Sequence, residues 1–167
     1  MKIIILGDFG SGSTNGYERL AKNLSTQLTQ EYPDLATEVW SLADKKVTNP
    51  AIQAAAPDLL VTFDLAGFTF TTLTGGVAFN LLNCKQVHFL LEDRLPNEKY
   101  LAEPLSISMF FYCLNEEYCA RLKEKYPELP FLDVIPLSKE TAEDMNAAVP
   151  DMIAAIRETV TKCHIPL

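Results

Sequence analysis

The chain has 167 residues, 48% hydrophobic and 22% charged, which suits one soluble globular domain with an ample core rather than a disordered or fibrous protein. Its net charge of −8 argues against nucleic acid or an anionic membrane surface as a partner, because both need a positive face. No stretch approaches the ~20 consecutive apolar residues of a membrane span, and the apolar run after Lys2 is too short for a signal peptide.

In chain order, Ile3 to Leu6 reads as a buried strand that stops at Gly7-Asp8. The loop Gly10-Ser11-Gly12-Ser13-Thr14-Asn15-Gly16 follows, and a helical pattern opens at Tyr17. Leu20, Ala21, Leu24 and Leu28 fall on one face of that helix, and Pro33 ends the segment. Thr37 to Leu42 is a second strand. Pro50 to Ala56 is a short helix with Pro at a tolerated first-turn position. Leu59 to Phe63 is a third strand, stopping at Asp64. Within Leu65 to Cys84, Val77 to Leu82 reads as about two helical turns.

Gln86 to Leu91 is a fourth strand, running into Glu92-Asp93-Arg94. Leu95 to Glu103 reads as loop plus one helical turn. Ile107 to Leu114 is the most continuous apolar run and reads as a central strand covered on both faces. Asn115 caps the next helix, with Glu116 and Glu117 in its first turn and Lys123 and Lys125 near its end, matching the helix dipole. Phe131 to Ile135 is a sixth strand. Ser138 onward is helical, with Ile153, Ile156 and Val160 on its apolar face and a split or kink expected at Pro150. Strands and helices alternate throughout, which implies one doubly wound, mostly parallel α/β sheet over residues 1–167 with helices on both faces.

In such a sheet ligands bind beyond the carboxyl ends of the strands. The chain therefore nominates Asp8 to Gly16, Asp64, Glu92, Asp93 and Arg94, and Asn115 to Glu117. Gly10, Ser11, Gly12, Ser13, Thr14, Asn15 and Gly16 offer backbone N–H groups and hydroxyls that would cradle a phosphate or carboxylate. The same loop also reads as a capped turn, with Thr14 or Asn15 as N-cap. It is not a Walker A loop, since no Gly-Lys-Ser/Thr follows, and Gly7-x-x-Gly10-x-Gly12 is not the G-x-G-x-x-G dinucleotide pattern.

Asp64 reads as a hydrogen-bond partner of a ligand hydroxyl or as a local cap, and Glu92-Asp93-Arg94 as sugar ligands, a general base or a solvated turn. Asn115-Glu116-Glu117 reads as a helix start. His88, inside a strand, reads as a hydrogen-bonded core histidine. With two histidines and no nucleophile elbow, a triad hydrolase is not supported. The four cysteines, Cys84, Cys113, Cys119 and Cys163, show no CxxC or Cys/His metal spacing. They read as reduced, mostly buried thiols of a cytoplasmic protein with no metal site, disulfides and a zinc site being the alternatives.

Two resemblances follow from these residues. ILGDFGSGSTNGYERLAKNLSTQL, then PDLLVTFD, VHFLLEDRLPN, MFFYCLNEEYCARLKEKYP and VIPL, is similar in order and texture to the N-terminal Rossmann-like half of a GT-B glycosyltransferase, over about residues 1–137. That resemblance implies a domain that binds a sugar or another small, phosphate-containing ligand. The nucleotide-sugar site of those enzymes lies mainly in a C-terminal domain, so transfer would need a partner subunit, as in split transferases. Ser11-Gly12-Ser13-Thr14-Asn15-Gly16 is also similar to the hydroxyl-rich loop by which flavodoxins hold the phosphate of FMN, with the Gly–Asn order inverted. That resemblance implies an electron carrier in which Phe68 and Phe70 flank the flavin. No catalytic motif is self-sufficient, and a non-catalytic interaction domain stays open beside both.

Overall fold

Six short strands, all parallel, form one sheet: β1 (Lys2–Gly7), β2 (Ala36–Ser41), β3 (Leu59–Phe63), β4 (Lys85–Leu90), β5 (Met109–Cys113) and β6 (Leu132–Val134). The computed structural model describes residues 1–9, 15–44, 46–92, 95, 97–135 and 145–165. The sheet order is β2-β1-β3-β4-β5-β6. The chain steps outward from β1 to β2, crosses back to β3, and then advances in the opposite direction. That reversal between β1 and β3 is the switch point of a doubly wound sheet.

Parallel strands buried on both faces explain the near-continuous apolar runs. Every residue of β3 is buried. Successive side chains alternate between two cores. Ile3, Ile5, Leu59, Val61, Phe63, Val87 and Phe89 enter one core, and Ile4, Leu6, Leu60, Leu90, Met109 and Phe111 the other.

Parallel crossovers are right-handed almost without exception, so the direction of travel decides which face each connection covers. α1 (Asn15–Glu31), which steps outward, packs on the first core through Leu20, Ala21, Leu24 and Leu28. Burying each leucine contributes about 1.5–3 kcal/mol. The connections that advance the other way contribute Ile52 of α2 (Asn49–Ala55), Phe68, Phe79, Leu101 and the apolar side of α3 (Glu116–Lys125) to the second core.

α1 alone leaves most of the first face bare. The last helix, α4 (Val149–Lys162), returns to cover it with Met152, Ile153, Ile156 and Val160. The Tyr112 hydroxyl on β5 lies 2.9 Å from Thr159 Oγ1 and anchors α4 to the sheet. Pro150 sits in the first turn of α4, where its missing N–H costs nothing, directly after a 3₁₀ turn at Met145–Ala148. The break expected at this proline is therefore a helix start. The expected opening of this helix at Ser138–Thr141 lies outside the described residues.

Two expected elements differ. The β5 run is shorter than its apolar stretch: Met109 N–H donates to Ser106 O in a turn, which leaves Ile107 exposed. Val77–Leu82 holds only a 3₁₀ turn, Ala78–Leu81, because the chain around it is a small hairpin bridged between Thr71 and Val77. Between β4 and β5 the expected single helical turn is a 3₁₀ turn, Glu98–Ala102. Trp40 packs partly against the second core and donates from Nε1 to Glu38 at 2.9 Å. All four cysteines are free thiols, Cys113 and Cys119 buried and Cys84 and Cys163 half-buried. No helix among the described residues is long and apolar enough to cross a membrane.

Candidate functional site

Beyond the carboxyl ends of β1, β3 and β4 lies a cavity of about 230 Å³. Asp8, Tyr17, Phe63, Asp64, Gly67, Thr69 and Glu92 line it, with Leu42, Ala66 and Asn97. It sits at the β1/β3 switch point, where doubly wound sheets take their ligands.

Asp64 is its central residue. The chain leaves β3 through two consecutive left-handed residues, Asp64 at φ 47° and Leu65 at φ 59°. Side chains other than Gly rarely adopt this region, and Asp is among the few enriched there. Here the turn is held by a lattice of backbone bonds. Asp64 N–H donates to Phe89 O at 2.9 Å, and Asp64 Oδ1 accepts from Leu91 N–H at 2.7 Å and Glu92 N–H at 3.2 Å. The carboxylate thus ties the end of β3 to the end of β4. Its other oxygen, Oδ2, is buried and has no hydrogen-bond partner among the described residues. Burial pushes the Asp64 carboxyl up to about 6, against the lowering pull of the Tyr17 hydroxyl and the two N–H donors.

Tyr17 reaches the cavity from the first turn of α1. Its ring stacks on Phe63 at 6.5 Å, and Phe63 in turn stacks on Phe89 at 6.2 Å, so the aromatic row of the first core seats it. Its hydroxyl donates to Glu92 Oε1 at 2.9 Å. Burial, together with the nearby Asp64 and Glu92 carboxylates, drives the phenol pKa well above its ordinary value. Asp8, Asp64 and Glu92 make the described wall strongly acidic, and none of the described lining residues is basic. Carboxylates so placed can accept hydrogen bonds from hydroxyls, and together they repel an anion. Burial leaves Asp64 easier to protonate than an ordinary carboxyl.

Of the residues nominated from the sequence, the structure brings Asp8, Asp64 and Glu92 to this one cavity. Asn15 and Gly16 form the first turn of α1. Gly10, Ser11, Gly12, Ser13, Thr14, Asp93 and Arg94 lie outside the described residues. Asn115 accepts from Tyr118 N–H at 2.9 Å and caps α3, with Glu116 and Glu117 exposed beside it, as a helix start requires. These three do not line the cavity.

Tyr17 is the residue that reading the sequence missed. Its signal was an aromatic in the first turn of a helix that follows a strand and a glycine-rich loop. Phe68, expected to flank a flavin, is wholly buried between Phe79, His88 and Phe111. It therefore has no ring face to offer a ligand. Phe70 is half-buried and lines a neighbouring groove.

His88 lies in the second core. Its Nδ1 is 2.7 Å from Thr62 Oγ1, its ring stacks on Phe111 at 4.9 Å, and Nε2 has no partner among the described residues. Burial pushes it down to about 3, so it is neutral at physiological pH. It is a core histidine. Among the described residues no group of three or more His, Cys, Asp or Glu side chains is placed to hold a metal ion. Compared with known families and characterised proteins, the chain matches neither a family model nor a curated protein.

Proposed function

We propose that the chain is a Rossmann-like domain of the kind that forms the N-terminal half of a GT-B glycosyltransferase, that it binds a sugar in the Asp64 cavity, and that it acts with a partner. The observation that carries this reading is the meeting of Asp8, Tyr17, Asp64 and Glu92 around one cavity at the switch point. Sugar hydroxyls donate to carboxylates at little cost, whereas a phosphate placed against three of them is repelled. A phosphate on the ligand would need the Gly10–Thr14 backbone or Arg94. Group transfer would need an activated donor and a second half to bind it, so the chain alone supplies sugar recognition. A cytoplasmic setting goes with this reading.

Titration calorimetry with methyl glycosides and nucleotide sugars, on the wild-type chain and on Asp64→Ala, tests it. Binding that Asp64→Ala weakens at least tenfold supports it. Absence of binding by the whole panel, or binding indifferent to Asp64, overturns it.

The order β2-β1-β3-β4-β5 supports a second reading, since flavodoxin-like proteins hold FMN at the same switch point. It is tested by colour: a chain purified from cells that is colourless and takes up no FMN is not an electron carrier of this type.

A further inference from the structure

We infer that the ligand of the Asp64 cavity carries an uncharged apolar group, and that this group lies in the groove between the start of α2 and the hairpin of residues 69–78, one molecule spanning both. The inference rests on the sugar-binding reading of that cavity.

The groove has a volume of about 750 Å³ and shares a wall, Thr69, with the 230 Å³ cavity. Ligand pockets commonly span about 300–1,000 Å³ and combine apolar area with a few polar groups that fix orientation. The cavity alone is smaller than that, and three of its ten described lining residues are acids. The groove alone has the area, but none of its described lining residues is charged, in a chain 22% charged. The cavity supplies carboxylates and the groove supplies uncharged volume beside it.

The lining is built, not incidental. Ala78 N–H donates to Phe70 O and Thr72 N–H to Gly76 O, both at 2.8 Å, and the Thr71–Val77 bridge holds the hairpin between them. The half-buried Phe70 ring rests edge-on against the fully buried Phe79 at 6.0 Å, which fixes it as one wall. Leu73 at the hairpin tip is fully exposed and Leu81 is 62% exposed. Only Ile107 stands beside them as an exposed large hydrophobic residue among those described, so two of the three meet at this groove.

The volume of the groove favours a small molecule as its occupant. Its described lining combines aliphatic and aromatic residues with five threonines and Asn49, none of them charged. An alkyl or aryl group attached to a sugar fits both compartments, with its hydroxyls toward Asp64 and its apolar end against Phe70 and Leu81.

The test uses the full chain and three series of probes, the methyl, butyl and octyl β-glycosides of glucose, galactose and N-acetylglucosamine, below their micelle concentrations, with 1-octanol as the sugar-free control. Affinity is expected to rise about tenfold or more from methyl to octyl in the wild-type chain. The gain should fall to about threefold or less in Leu73→Ser/Leu81→Ser, whose exposed side chains are dispensable to the core. Methyl glycoside binding with no gain from the longer chain overturns this inference and leaves the sugar reading standing. Octanol binding as tightly as the octyl glycosides, or a gain that survives in the double variant, also overturns it. No binding by any glycoside overturns both readings.

Discussion

Asp64 and Leu91 are joined across the ends of adjacent strands: the Asp64 carboxylate accepts the Leu91 N–H at 2.7 Å. The same carboxylate that faces the cavity therefore also closes the rim between β3 and β4. Lining the cavity and holding the rim are thus a division of labour within one side chain.

This division predicts a trade of stability for function at Asp64. Its folded pKa is raised to about 6 from 3.8. Between those values the folded state holds more protons than the unfolded chain, so the carboxyl's contribution to stability falls as pH rises through this window. Above it, the buried charge costs on the order of 3 kcal/mol. Asp64→Asn keeps an acceptor for the Leu91 and Glu92 N–H groups and removes the charge. It should raise stability at pH 7.5 and flatten the profile between pH 4 and 6, while weakening ligand binding. Urea unfolding from pH 4 to 8 checks this. Lower stability than wild type at pH 7.5 would refute the argument.

Tyr17→Phe keeps the ring on Phe63 and deletes the hydroxyl. Because that hydroxyl pulls the Asp64 pKa down, its loss should move Asp64 further up from about 6. Carboxyl carbon chemical shifts followed through a pH titration measure the move directly. The stability change should stay within about 0.5–1.5 kcal/mol, the net worth of one hydrogen bond. A fall in the Asp64 pKa would contradict the assigned geometry.

His88 predicts a slope of the opposite sign. The folded state keeps it neutral down to about 3, while the unfolded chain takes up a proton near 6.5. Over that range the unfolded state binds more protons, so stability falls as pH falls. Replacing both members of the pair, Thr62→Val with His88→Phe, leaves no hydrogen-bonding group stranded in the core. The double variant should lose this part of the acid limb, which unfolding midpoints between pH 3 and 6.5 would reveal.

How far these features were legible in the sequence depended on how regular the backbone is. β3 was readable residue for residue because Asp58 and Asp64 bound a run that is apolar but for the β-branched Thr62. α3 was readable because Asn115 is a true cap. Ile107 was misleading because apolarity marks burial only when the chain is extended, and there it turns. Residues 64–84 resisted reading because their contribution to the core comes from Phe68 and Phe79, set by turns and left-handed positions without a helical or strand period. Asp64 was visible as a residue at a strand end, but its bonds to β4 depend on contacts between segments more than 25 residues apart. Tyr17 stayed hidden for the same reason, since only the sheet brings Glu92 within reach.

Gly67 and Gly75 offer a paired test of that irregular segment. Gly67 adopts φ +85°, and an added Cβ would lie 2.3 Å from Cζ of the buried Phe79. Gly75 adopts φ +88°, with nothing within 4 Å of such a Cβ. Gly75→Ala should cost only the backbone strain, about 1 kcal/mol, whereas Gly67→Ala adds a clash and should cost about 2–4 kcal/mol in all. Thermal melts of the two variants separate the terms. Equal losses would mean that Phe79 yields without cost.

The return of α4 over α1 makes the order of assembly matter. Arg157 on α4 donates to the Tyr32 hydroxyl at 2.7 Å, bridging 125 residues of chain, and pairs with Glu31. Contacts of such separation form slowly, since a long loop must close before they are gained. Phe89 and Tyr112, at the far end of the aromatic row on which Tyr17 rests, share the first core with α4. The seat of Tyr17 is thus backed by the helix that the chain adds last.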